Sequence, residues 1–407
     1  MKFSRIRIGW PQRIAALFLL IFLAQCTWII GRTPLSESDY RYALCGREMW
    51  EKPGVAAGYF TSCGNMQGDG TLAYRVAGLP LTSAILVLRA QDAILRGIDH
   101  FKPAGKRTYV ANPIGGATHD LRHQIVGIPY LLRLPFALFG VWIGGGVWWV
   151  ARRLFGNLGG FLALGLFCFS PAVVRYATMP NNEILALWGL YGLIYTAIGI
   201  AHAMYGPRRQ WRPRILIFTL ALGLTTAAHL LAAIFGLIVS TVLLFYVAER
   251  RRSAVLPLLA YTTLGALFIL LASYAFRFHA FLYAFTGGAA RLNLSYEPAL
   301  LFVRNAANLP TLIALAVALV LYLLVPRARY FGNTTPFLVA LLLLPLVTTQ
   351  IATSPWLWAL PFLFTFIAGV FADALETRQR KLYLALSGVI LLAQATLCFL
   401  ALPAMHA

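Results

Sequence analysis

Three carboxylates stand where chemistry is possible. Glu37 and Asp39 form an acidic-x-acidic pair just past the first apolar run, and Glu183 closes the stretch Arg175-Tyr-Ala-Thr-Met-Pro-Asn-Asn-Glu183. Acidic residues are scarce in this chain, 13 among 407, and eight of them fall between Glu37 and Asp120. Two carboxylate sites facing each other at a membrane surface have two chemical uses. One can take a proton from an acceptor hydroxyl, or both can hold a divalent cation such as Mg or Mn through oxygen ligands. Each also has a plainer use. Asp39 precedes Tyr40-Arg-Tyr and suits a helix N-cap, and Glu183 suits a cap or a pair with Arg175. Carboxylates are cheap at the end of a span, so position alone does not assign them a function.

A basic rim surrounds these few acids. Arg75 stands in Tyr74-Arg-Val-Ala-Gly-Leu-Pro-Leu81, where a guanidinium suits either a phosphate with two parallel hydrogen bonds or a snorkelling position among headgroups. His119 and His123 flank Asp120 and Arg122. His229 falls between two apolar runs, and Arg277, His279, Arg291 and Arg304 decorate a later polar segment. Together they suit an anionic, lipid-linked substrate.

The elements that position these groups are membrane spans. The chain is 60% apolar and 12% charged, far from the usage of a soluble domain. Apolar runs of about 17–25 residues each satisfy their backbone internally as a transmembrane helix. About eleven are expected: 12–30, 134–151, 158–175, 184–204, 214–229, 231–248, 254–275, 309–325, 336–352, 356–373 and 382–402. The fold class is therefore all-α, one polytopic domain over 1–407, with a large extracytoplasmic loop at 31–133 and a helix bundle at 134–407.

Charge orients it. Lys2, Arg5, Arg7 and Arg13 precede the first span, which puts the N-terminus in the cytoplasm. The inner connections then carry Arg152/Arg153, Arg208/Arg209/Arg212, Arg250/Arg251/Arg252, Arg327/Arg329 and Arg378/Arg380/Lys381. The carboxylates and the C-terminus fall outside. The net charge of +21 is accounted for by orientation and anionic lipid contact, with no need of nucleic acid. The first span has the basic flank of a signal peptide, but Gln25-Cys-Thr-Trp-Ile-Ile-Gly-Arg32 offers no small-residue cleavage site, so it reads as an anchor.

Within the first loop, Asp39 to Trp50 reads as a short amphipathic helix. Leu79 to Ile98 is apolar but interrupted by Arg89, Gln91, Asp92 and Arg96, which suits a helix lying in the interface. A true span there would add a twelfth helix and turn every basic loop outward. Residues 99–128 hold Pro103, Gly105, Pro113, Gly115 and Gly116 and read as irregular. Cys26, Cys168 and Cys398 lie inside spans as small packing residues. Cys45 and Cys63 share the outer loop, where either a disulfide or two buried thiols is possible. No Cys/His spacing of a metal site occurs.

Several motifs resemble GT-C glycosyltransferases, above all the bacterial relatives of protein mannosyltransferases and of the lipid A aminoarabinose transferase. They are Leu131-Leu-Arg-Leu-Pro-Phe-Ala-Leu-Phe-Gly140, Val150-Ala-Arg-Arg-Leu-Phe-Gly156 and Phe169-Ser-Pro-Ala-Val-Val-Arg-Tyr-Ala-Thr178. The likeness is good over about 35–200. Later, Ser354-Pro-Trp-Leu-Trp-Ala-Leu-Pro361 looks like the family's proline-containing helix. The family's first loop opens with Asp-Glu before a helix ending like Gly46-Arg-Glu-Met-Trp50. Here Ser38 stands at the leading aspartate and Asp39 one residue later.

The resemblance implies an inverting hexosyl- or pentosyltransferase of the plasma (inner) membrane. Its donor would be a polyprenyl-phosphate sugar, its acceptor a lipid, glycan or protein. Asp39 would be the key acid, assisted by Glu37 and Glu183, with Asp39 and Glu183 the ligands of any divalent cation. Arg75, Arg133, His123 and Arg277 would hold the donor phosphate, where charge grows in the transition state. Two other readings stay open: a transporter or flippase of polyprenyl lipids, which would call for acidic residues inside spans, and a non-catalytic partner of GT-C type. No internal repeat favours a transporter built from repeated halves.

Overall fold

Glycine and proline set where the long apolar runs break. In the computed structural model, residues 9–51, 70–99, 127–206, 211–287, 292–294, 297–348 and 356–405 are described. The first half of the chain forms α1 (Trp10–Ile30), α2 (Glu37–Glu51), α3 (Leu72–Asp99), α4 (Ile128–Cys168), α5 (Pro171–Ala177) and α6 (Asn182–Ala203). Then follow α7 (Arg212–Ala228), α8 (Leu230–Val247), α9 (Arg252–Ser273), α10 (Phe278–Gly287) and α11 (Glu297–Arg304). The last four are α12 (Leu309–Leu324), α13 (Phe331–Leu343), α14 (Trp356–Leu375) and α15 (Arg380–Ala401).

Nine helices among the described residues are long and apolar enough to cross a membrane. They differ from the eleven expected spans in ways the backbone explains. The 41-residue α4 contains two of those spans in one run, broken at Gly156, whose φ of 77° only glycine adopts readily. The second of them ends at Cys168 rather than 175, because Pro171 starts the separate helix α5. At 17 residues α7 is marginally short. The expected span 336–352 is only the 13-residue α13. Beyond it the chain turns into a strand, Leu346–Thr348, which pairs antiparallel with Leu292–Leu294. In its place Leu72–Gln91 is long enough to span, with the lowest mean hydropathy of the nine, 1.3.

Large apolar side chains face outward along these helices, among them Leu20, Val242, Leu256, Leu264, Val389 and Leu392, each more than half exposed. Such surface suits hydrocarbon, not water. The chain is a multi-pass membrane protein. Its hub is α14, apolar on all sides, with Trp358, Phe362, Phe364, Phe366 and Phe371 buried against α4, α6, α12 and α13.

The bundle has two distinct ends. At one, the arginine-bearing turns are knitted together. Tyr205 donates to the Val247 carbonyl at 2.8 Å, Tyr246 stacks on Phe331, Phe155 meets Tyr330, and Arg327 pairs with Glu376 at 2.6 Å. At the other, the first residues of α3 staple three hairpins. Gly70 N–H donates to the Ala228 carbonyl at 2.9 Å, Thr71 Oγ1 to the Ser273 carbonyl at 3.1 Å, and Asn182 bonds Gly70 and Ala73. A Cβ on Gly70 would meet the Ala227 carbonyl oxygen at 1.8 Å, so no larger residue fits that approach.

Helices α2 and α3 form the cap over this loop end. They cross with Gly46 against Gly78, where an added Cβ would reach the opposing backbone within about 2 Å. Tyr42 stacks on Tyr74 beside the crossing, with ring centroids 4.4 Å apart.

Candidate active site

The site begins with a helix start. Pro34 ends the turn after α1, and Ser36 and Asp39 close a reciprocal cap on α2. Asp39 N–H donates to Ser36 Oγ at 3.3 Å, and Ser36 N–H donates to Asp39 Oδ2 at 2.8 Å. Asp39 thus stands at the N3 position of the capping box, not at the N-cap itself. The Ser36 hydroxyl adds a bond to Oδ2 at 2.7 Å.

From α4, Arg133 reaches the same carboxylate. Its Nη2 donates to Oδ2 at 2.6 Å and its Nε to Oδ1 at 3.3 Å. Two of the remaining guanidinium hydrogens take the carbonyls of Thr33 and Pro34, both at 2.8 Å. Asp39 and Arg133 are 3% and 2% exposed, so this is a buried, fork-like ion pair that pins the first loop to the bundle.

This geometry bears on two expectations. Arg133 is committed to protein groups and has no fork left for a donor phosphate. A divalent cation on Asp39 and Glu183 does not fit this donor set, because the guanidinium already neutralises Asp39, whose Oδ2 accepts three hydrogen bonds. Among the described residues no group of three or more His, Cys, Asp or Glu could hold a metal ion.

Glu183 arrives from the other side. Asn181 caps α6 by accepting from Ile184 N–H at 2.9 Å and fastens the preceding turn through the carbonyls of Tyr176 and Met179. That places Glu183 in the first turn of α6, where the helix dipole favours negative charge. It is 4% exposed, yet it lines a cavity of about 370 Å³ together with Ser38, Asp39, Tyr42 and Tyr176. Burial first, then the charge of Glu183, push the Tyr176 phenol above its ordinary range, against a downward pull from Arg175. At neutral pH it is a hydroxyl donor in the cavity that Glu183 also lines.

Arg75 lies across the Asn182 staple from this cavity. Its Nε donates to the Ser273 carbonyl at 2.6 Å, and its guanidinium lies 5.3 Å from the Trp50 ring centre. Trp50 Nε1 returns a bond to the Arg75 carbonyl at 2.8 Å. The buried Nη2 of Arg75 has no hydrogen-bond partner among the described residues. Arg277 follows the same end of α9, after Ala275 and Phe276 with φ of 53° and 56°, a left-handed pair that costs strain in non-glycine residues.

Glu37 is not part of the cavity. Its side chain is 86% exposed and sits 3.8 Å from Arg41. His123 and Cys63 lie outside the described residues. Cys45 is buried and disulfide-bonded, while Cys26, Cys168 and Cys398 are free. Sequence reasoning missed Ser36, Tyr176 and Asn182. The spacing Ser36-x-x-Asp39 carries the capping signal for the first, and nothing local marks the other two.

Comparison with solved structures adds the fold's relatives. The crystal structure of ArnT from Cupriavidus metallidurans in the apo state superposes with a TM-score of 0.57 at 14% identity. The same protein bound to undecaprenyl phosphate gives 0.54, also at 14% identity. Each match covers 92% of this chain and 62% of the other. The fold is of the GT-C type. The chain thus spans about three fifths of the length of the solved structures it matches. No protein-family model matches it, and no curated protein sequence does.

Proposed function

We propose that the chain is a membrane glycosyltransferase that moves a sugar from a polyprenyl-phosphate donor to an acceptor hydroxyl. The observation that carries this reading is the cavity at the loop end of a GT-C-type bundle, lined by the buried Glu183 together with Tyr176. The likeness to a structure that binds undecaprenyl phosphate supports the donor class.

In the reaction the acceptor oxygen attacks the anomeric carbon from the face opposite the phosphate. Its proton passes to Glu183 as the new C–O bond forms. The bond from carbon to phosphate oxygen breaks, and its electron pair leaves with the polyprenyl phosphate. Asp39 was expected as the base, but four hydrogen bonds to Arg133 and Ser36 make it a poor proton acceptor. Its role is to position the loop. Arg75, with an unfilled N–H edge, and Arg277 meet the negative charge growing on the leaving phosphate.

Steady-state transfer from a polyprenyl-phosphate sugar by the reconstituted protein tests this. Arg75→Ala should raise the donor KM by roughly tenfold or more, the worth of a charge-assisted hydrogen bond. Arg75→Lys should recover part of that loss. An unchanged donor KM in Arg75→Ala would remove Arg75 from the donor site.

Orientation follows the basic loops: N-terminus in the cytoplasm, site outside. A reporter fused at residue 210 should read as cytoplasmic and one at 290 as external, and the reverse result would invert the reaction's side.

One observation favours a second reading, a non-catalytic relative. Ser38 stands where the family's leading aspartate belongs, and the neighbouring acid is locked in an ion pair. Donor binding without any sugar transfer would select it.

A further inference from the structure

The C-terminal turn of α1 separates two spaces. Ile29 and Thr33 line the carboxylate cavity, while Ala24, Thr27, Trp28, Gly31 and Arg32 line an open crevice of about 610 Å³ with Tyr130 of α4. Positions 24, 27, 28 and 31 share one helical face, turned away from the buried Gln25, Cys26, Ile29 and Ile30. The crevice therefore opens on the outside of the bundle, beside the last turn of an apolar span.

Arg32 is the notable group there. It is exposed, and its guanidinium lies 4.2 Å from the Trp28 ring centre. Among the described residues no carboxylate or carbonyl takes its guanidinium N–H groups. A guanidinium held by its face against indole keeps its N–H edge free for two oxygens in its plane. Tyr130, 40% exposed, brings a second donor. Its hydroxyl passes so close over residue 31 that a Cβ there would meet it at 2.1 Å, so glycine permits the approach. Trp and Tyr at the end of a span sit at headgroup level, where the oxygens in reach are phosphate oxygens.

We propose that this crevice is a binding site for the phosphate of one membrane phospholipid, gripped by Arg32 along its N–H edge and by the Tyr130 hydroxyl. The occupant is a bulk phospholipid rather than the sugar donor. A phosphate held on this face has the end of α1 between it and Glu183. The inference does not rest on the transferase reading.

Native mass spectrometry of the full chain, released from detergent with added phosphatidylglycerol or diacylglycerol, tests it. Wild type should retain one phosphatidylglycerol and no diacylglycerol, which lacks the phosphate. Arg32→Gln should weaken that retention roughly tenfold, as expected for a lost charge-assisted contact. Gly31→Ala keeps the charge but displaces Tyr130, and it should weaken retention as well. Equal retention of both lipids, or wild-type retention by Arg32→Gln, would overturn the site. Displacement of phosphatidylglycerol by an equal amount of undecaprenyl phosphate would overturn the assigned occupant in favour of the lipid-linked donor.

Discussion

Glu183→Gln is expected to lower sugar transfer by about 100- to 10,000-fold, the range of a lost general base, while the folded protein accumulates normally. The substitution keeps size and shape. It removes a carboxylate from the first turn of α6, where the dipole interaction is worth only about 0.3–1 kcal/mol. The Asn181 cap and the Asn182 staple also hold this turn. The chemistry depends on the Glu183 charge, because the other buried carboxylate of this cavity, Asp39, is held in an ion pair with Arg133. The measurement is the initial rate at saturating donor and acceptor, per mole of folded protein. A wild-type rate would leave the proposed reaction without its proton acceptor and sink the assignment.

Asp39→Asn should do the opposite: it damages the fold more than the chemistry. The substitution leaves Arg133 charged, 2% exposed and without its counter-ion. Breaking one side of a buried pair typically costs about 3–5 kcal/mol. The expected result is a large drop in the thermal midpoint in detergent and poor recovery from membranes. Rate per folded molecule should fall much less than in Glu183→Gln. Adding Arg133→Met to Asp39→Asn removes the stranded charge, so the double variant should be more stable than Asp39→Asn alone. Were Asp39→Asn to stay as stable as wild type and lose transfer by orders of magnitude, the base would be Asp39 and the roles drawn here would be reversed.

These two carboxylates show how far a sequence can be read. Both were visible as candidates because acids are scarce and these stand at the ends of apolar runs. Their division of labour was not. Asp39 is 94 residues from Arg133, and Asn182 is 112 from Gly70. No local pattern records such meetings. Arg133 sits inside a motif that suggested a phosphate ligand, and only its four hydrogen bonds to 33, 34 and 39 show it spent on the loop. Ser36 could have been found, since the capping spacing is local.

Spans were legible for a related reason. A chain in lipid must satisfy each backbone group within its own helix, so length and hydropathy alone mark where helices run. That constraint relaxes where segments lean on one another. The expected span 336–352 stops at Leu343 because residues 346–348 find a strand partner at 292–294. The expected spans 134–151 and 158–175 meet at Gly156, which breaks the helix without ending it. What the sequence by itself determined is that apolar helices make up most of the chain, with the approximate place of most of them, and the short list of groups able to do chemistry, since both follow from local composition. Only the tertiary structure decided that Arg133 holds Asp39 and that Glu183 lines the same cavity. That outcome depends on which donors the packed helices bring within about 3 Å of each oxygen.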